Sequence, residues 1–242
     1  MEFTGERYIP GKSHSFLEAD HLKRYFFAKD YVFGVVLDIG CGSGKGTYML
    51  SQQARVYKCI GIDVSEEAIL YAKDHFANQN VEFAHMDATN LFLFENGYFD
   101  SIVAFEVIEH IKNYKKMLDE IKRVLKPSGC CLITTPNRRG EHSGNPYHHS
   151  EFSHAEFGEL LKGYFSHLEI FGLYREVSRR YKLIRWMDVF NLRRFIPQVI
   201  RRPITLSILG TTPFDATTIK DIRISEHMRD ISRTHVLVAI CS

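Results

Sequence analysis

With 242 residues and a 45% hydrophobic composition, the chain is long enough to bury roughly 70% or more of its unfolded surface, and a single α/β domain commonly reaches this size. Five cysteines with no C-x-x-C pair, and Cys130 beside Cys131 in an apolar run, exclude a disulfide framework and a thiolate zinc site. The net charge is a small +2, Met1 to Pro10 carries Glu2, Glu6 and Arg7 where a signal peptide needs apolar residues, and no run of ~18 apolar residues occurs, so a soluble, cytoplasmic protein without a transmembrane segment is expected.

In the N-terminal cap segment, residues 1–30, Ser15-x-x-Glu18 is a capping-box signal for a helix that presents Leu22, Tyr25 and Phe26. Short apolar runs then alternate with helical spacing, which is the pattern of βαβ units around a parallel sheet. Strands are predicted at Val35 to Ile39, Lys58 to Asp63, Val81 to Met86, Phe99 to Phe105 and Cys130 to Thr135. Before the last of these, Tyr114, Met117, Leu118, Ile121, Val124 and Leu125 recur at helical spacing, and Lys126-Pro127-Ser128-Gly129 is predicted to turn the chain. A second capping box, Ser153-x-x-Glu156, opens a helix through Phe157, Leu160 and Leu161, followed by strands at His167 to Tyr174 and His235 to Cys241.

Residues 175–234 are too long for a hairpin loop and rich in aromatics, so a helical lid is expected there. Its stretch 175–202 holds nine Lys or Arg against Glu176 and Asp188. Arg179, Arg180, Lys182, Arg185, Arg193, Arg194, Arg201 and Arg202 either hold phosphates through guanidinium forks or form a solvated face. The expected organisation is one domain, with its core in residues 31–174 and 235–242.

The most informative segment is Val35 to Gly44, an apolar strand carrying Asp38 and ending in Gly40-Cys41-Gly42-Ser43-Gly44 before a helix. Glycines let backbone approach a ligand closely, and a helix N-terminus offers N–H groups to an anion. A Walker loop is excluded, because Ile39 stands where its first Gly is needed and Gly46 follows Lys45. A dinucleotide loop is disfavoured: the glycines run Gly40-x-Gly42-x-Gly44, and Asp38 would repel a pyrophosphate.

These residues resemble motif I of the class I S-adenosylmethionine-dependent methyltransferases, (L/V)-(D/E)-x-G-x-G-x-G, and further elements agree in order: Gly61-Ile62-Asp63-Val64-Ser65, His85-Met86-Asp87-Ala88 and Phe105-Glu106. The resemblance implies a Rossmann-like, doubly wound, mostly parallel seven-stranded α/β sheet with an antiparallel last strand. It implies S-adenosyl-L-methionine as cofactor, with Asp38, Gly40, Cys41, Gly42 and Gly44 forming its turn and Asp63 with Val64 at the ribose. Asp87 would then take the adenine amino group, Met86 and Ala88 the ring, and Glu106 the methionine end. Each acid has a plainer use, since Asp63 could cap a helix near Ser65 and Asp87 a turn.

A sulfonium methyl is already electrophilic, so the protein has chiefly to hold a nucleophile in line and exclude water. Candidate groups lie in Glu106-Val107-Ile108-Glu109-His110 and in Asn145 to Phe152. His148 or His149 would serve as base for a hydroxyl acceptor. Alternatively Glu106, Glu109, His110 and His149 bind a divalent metal that orients a vicinal diol; this string resembles metal-using quinone and RNA 3′-end methyltransferases. In a third reading the histidines only shape the pocket.

Thr135-Pro136-Asn137, Asn145-Pro146-Tyr147-His148 and the segments Glu6-Arg7-Tyr8 and His21 to Tyr25 look like methyltransferases of bacterial glycan assembly. That resemblance implies a sugar hydroxyl, on a nucleotide- or lipid-linked and hence phosphorylated glycan, or another small-molecule acceptor. RNA is the competing partner, DNA is not expected, and cofactor binding without turnover is the non-enzymatic alternative.

Overall fold

The computed structural model describes residues 15–140, 144–173, 224–225 and 234–242. Its strands are β1 (Gly34–Ile39), β2 (Val56–Asp63), β3 (Val81–His85), β4 (Phe99–Phe105), β5 (Leu125–Pro136), β6 (Leu168–Leu173), β7 (Ile224–Ser225) and β8 (Val236–Cys241). Its helices are α1 (Ser15–Ala28), α2 (Lys45–Ser51), α3 (Glu66–Phe76), α4 (Tyr114–Val124) and α5 (His154–Lys162). They build one sheet in the order β3-β2-β1-β4-β5-β8-β6-β7.

Strands β1 to β5 pair in parallel, and β8 runs antiparallel between β5 and β6. The seven-stranded, mostly parallel sheet with an antiparallel last strand is therefore present, extended at its edge by the two-residue β7. Parallel strands covered on both sides read as continuous apolar runs, and β1 and β4 are buried along nearly their whole length.

Alternation along each strand divides the core. Val36, Val103 and Leu132 face Tyr25, Ala28 and Leu50 on one side. Leu37, Ile39, Ile102, Ala104 and Ile133 face Met117, Leu118, Ile121 and Phe157 on the other. The buried stripe of α4, Met117, Leu118, Ile121 and Val124, is the one its spacing predicts, and the α5 capping box forms between Ser153 and Glu156.

One expectation changes. Lys126 to Gly129 does not turn between elements but bulges inside β5, since Leu125 pairs with Phe99 and Cys130 with Ser101. The facing Asp100 accounts for it: its carboxylate takes Lys126 Nζ at 2.6 Å and the Val35 N–H at 2.8 Å, drawing the two strand starts together. The helical lid and its basic cluster, and the side chains of the first capping box, lie outside the described residues.

Candidate active site

The C-terminal ends of β1, β2 and β4 open on a cleft of about 870 Å³, within the size range of small-molecule sites and where open α/β sheets bind ligands. The turn after β1 puts Gly40, Gly42 and Gly44 at φ 72°, 53° and 82°, a region that only glycine enters without strain. A Cβ on Gly40 would also collide with the Val107 side chain. Gly40 and Cys41 donate their N–H groups to the Ile62 carbonyl at 2.8 and 2.9 Å, which pins the turn to β2.

Gly40, Gly42, Asp63, Val64, Met86, Asp87, Ala88 and Glu106 all line this cleft. Asp63 is nearly buried; Oδ2 accepts from the Gly42 N–H at 3.0 Å and Oδ1 from the Ser65 N–H at 2.8 Å. The cap of α3 is Ser65 rather than Asp63. Asp87 does brace a turn, accepting from the Thr89 N–H at 2.8 Å, and still faces the cleft.

Asp38, Cys41 and Gly44 do not line the cleft but stand behind its wall. Cys41 packs with Ile69, Ala72 and Phe83. Gly44 is the left-handed N-cap of α2. Asp38 is fully buried and accepts from Thr47 Oγ1 at 2.6 Å and from the Tyr25 hydroxyl at 3.1 Å. Burial pushes its carboxyl up to about 7, against the opposing pull of those two hydrogen bonds. Asp38 thereby ties α1 and α2 to the strand that carries the glycine turn. The phenol of Tyr25 fits because Gly46 has no side chain; a Cβ there would meet the ring.

At the other end, Glu106 is the one non-glycine residue with positive φ, 55°, among the described residues. Such a conformation costs about 1–3 kcal/mol and persists only where the surroundings impose it. Here its N–H donates to Thr134 Oγ1 at 3.1 Å, and its carboxylate takes Thr134 Oγ1 and Arg24 at 3.0 Å each. Arg24 and His21, both from α1, also line the cleft.

A 3-10 turn, Ile108–His110, follows. Glu109 is 1% exposed. Its Oε2 accepts from Thr135 Oγ1 at 3.2 Å, whereas Oε1 has no hydrogen-bond partner. Burial, then the nearby Glu106 charge, raises its carboxyl well above the usual range.

The donor atoms of Glu109, His110 and His148 all lie within 4.8 Å of one another. The structure thus gathers two residues of the expected metal set with His148, while Glu106 is engaged by Arg24 and His149 is exposed off the cleft. The backbone explains the exchange: His149 and Ser150 donate their N–H groups to the Glu109 carbonyl at 2.7 and 3.2 Å. This tie faces the His149 side chain outward and its neighbour inward.

Sequence reasoning missed Arg24, Tyr25, Thr47 and Thr134 as parts of the site. They come from other elements, and nothing in their spacing marks them. Glu151 was within reach, because His148-x-x-Glu151 places the carboxylate three residues from the ring it contacts.

Residues 37–133 match the methyltransferase domain family. A probable S-adenosylmethionine-dependent methyltransferase of Mycolicibacterium smegmatis is 31% identical over 177 residues, 67% of this chain and 64% of that protein. A mitochondrial ubiquinone biosynthesis O-methyltransferase of Dictyostelium discoideum is 33% identical over 114 residues, 43% of this chain and 35% of that protein. The chain therefore spans less than two thirds of these relatives. Among solved structures, a SAM dependent methyltransferase from Archaeoglobus fulgidus shares the fold, with a TM-score of 0.59 at 18% identity over 94% of this chain and 93% of that one. With the strand order, the glycine turn and the acids at the ends of β2 and β3, these likenesses make the chain a member of the class I S-adenosylmethionine-dependent methyltransferase family.

Proposed function

We propose that the chain is an enzyme that transfers the methyl group of S-adenosylmethionine to a hydroxyl oxygen of a small-molecule acceptor, a sugar or vicinal diol, in a cytoplasmic setting. The observation that carries this reading is the continuity of one cleft from Asp63 and Asp87 to Glu109, His110 and His148. At the first end, Asp63 accepts the ribose hydroxyls, Asp87 the adenine amino group, and Met86 and Ala88 flank the ring. Gly40 and Gly42 give the methionine part close backbone, and Glu106 receives its ammonium. The acceptor oxygen would then attack the methyl carbon in line, the carbon–sulfur bond breaking with its electron pair going to sulfur, and, where no cation occupies the histidine cluster, the hydroxyl proton would leave to an imidazole there.

The acceptor end also fits a divalent cation. Two imidazoles and a buried carboxylate oxygen without a donor converge there, and such mixed nitrogen and oxygen ligands suit first-row divalent ions. Bound there, the ion would act as a Lewis acid on an acceptor oxygen and orient a diol. Exhaustive chelation is then expected to abolish turnover, with restoration by added Mn²⁺; undiminished activity after chelation excludes the ion.

Labelled S-adenosylmethionine incubated with nucleotide sugars, quinols and small RNAs tests the whole reading. Label in a hydroxyl compound is expected. Label in RNA alone would move the acceptor to a ribose hydroxyl, and no cofactor binding at saturating concentration would overturn the proposal.

A further inference from the structure

We propose that Tyr147 is an acceptor-binding residue and that the acceptor is a hydroxylated six-membered ring, whose apolar face rests on the Tyr147 side chain with its edge hydroxyls beside the imidazoles. This deepens the reading given above, because it rests on the His110 and His148 end of the cleft being the acceptor end. Tyr147 lines that end and is 55% exposed. Phe105 also lines the cleft, but it is buried and packs edge-on against Tyr25 at 5.0 Å. Among the described residues, Tyr147 is therefore the one phenyl or phenol ring of the cleft open to a ligand.

The local sequence builds the mount for this ring. Asn145-Pro146-Tyr147-His148 closes as a turn, with the His148 N–H donating to the Asn145 carbonyl at 3.2 Å. Asn at the first position and Pro at the second are the residues such turns favour. The Tyr147 N–H donates to Asn145 Oδ1 at 3.0 Å, and the Tyr147 carbonyl accepts from His110 Nδ1 at 3.0 Å. The His149 and Ser150 N–H groups then close on the Glu109 carbonyl at 2.7 and 3.2 Å. His148 is braced as well, its Nδ1 donating to Glu151 Oε1 at 2.9 Å and its Nε2 accepting from the Asn145 amide at 3.0 Å.

Each N–H from Tyr147 to Ser150 is thus engaged, while the Tyr147 side chain stands more than half exposed. Backbone fixed before the ligand arrives spares part of the ordering cost of binding. A tyrosine offers a large, flat, amphipathic face with only two side-chain torsions to fix. Such a face suits the C–H face of a pyranose or the flat face of a catechol alike. The polar groups needed to orient the ring's hydroxyls are adjacent: His110 touches the Tyr147 carbonyl, and His148 is the next residue. An apolar platform with a few placed polar groups is the usual composition of a small-molecule site.

The test uses the full chain with methyl-labelled S-adenosylmethionine and three sets of acceptor: catechols, UDP-linked pyranoses, and glycerol 3-phosphate as an acyclic diol. Label is expected in one of the two ring sets, and which of them takes it distinguishes an aromatic diol from a sugar. For that acceptor, Tyr147→Ala should raise KM about tenfold and leave kcat within about twofold, as loss of a stacking surface predicts. Affinity for S-adenosylmethionine, read by calorimetry, should stay unchanged as the check on folding. Tyr147→Phe restores the ring and should recover most of the lost affinity. Tyr57, 73% exposed and outside the cleft, is the control, and Tyr57→Ala should leave KM at the wild-type value.

Label in glycerol 3-phosphate alone, or in none of the three while S-adenosylmethionine still binds, overturns the ring acceptor and leaves the cofactor reading standing. An unchanged KM in Tyr147→Ala, or a failure of Tyr147→Phe to recover it, overturns the role of Tyr147. Loss of S-adenosylmethionine binding in the wild type would sink the methyl-transfer reading and this proposal together.

Discussion

Two aspartates behave oppositely although both sit at the end of a buried strand. Asp63 satisfies the Gly42 and Ser65 N–H groups and faces the cleft; its replacement by Ala is expected to weaken cofactor binding at least tenfold, as calorimetry would read, and unchanged affinity would remove it from the ribose site. Asp38 is sealed beneath the turn, and burial lifts its carboxyl to about 7. An unfolded chain releases that proton near pH ~4. Between about pH 4 and 7 the folded state therefore binds more protons than the unfolded one, so this group's contribution to stability is lost as pH rises through that window. In thermal unfolding of cofactor-free protein at about pH 5 and about pH 7.5, Asp38→Asn is expected to flatten the slope with pH, and parallel slopes in both proteins would contradict the assignment.

At the scale of elements, periodicity was informative where a helix lies against the sheet. Leu118 on α4 is fully buried among strand residues, and Leu118→Ala should cost about 2–5 kcal/mol in denaturant unfolding, because the rigid sheet cannot collapse into the space left. Removing the α5 cap with Ser153→Ala should cost about 1 kcal/mol by the same measurement. Both helices were legible because their evidence is local: one stripe, one capping box. The β5 bulge was not, since it arises from Asp100, a residue of the neighbouring strand, acting on Lys126.

Across the whole molecule the sheet buries its thiols. Burial pushes Cys59, Cys130, Cys131 and Cys241 up from the ordinary thiol range, and the thiolate is the reactive form. Alkylation of these four by iodoacetamide in native protein, followed by mass spectrometry, should therefore run more than tenfold slower than after unfolding; equal rates would mean that the sheet opens readily. Residues distant in sequence also converge here: Arg24 of α1 reaches Glu106 after β4, and Thr134 of β5 holds the same carboxylate.

The sequence by itself determined the alternation of strands and helices, the glycine turn and the order of the acids along the chain, because each is written in neighbouring residues whose backbone and burial needs are local. Only the tertiary structure decided which of these groups meet. It drew Asp38 behind the wall, engaged Glu106 with Arg24, and put His148 with Glu109 and His110 while His149 turned outward. The reason is that a side chain's direction here follows from hydrogen bonds made to other elements, such as the Glu109 carbonyl held by the His149 N–H, and no spacing along one segment encodes them.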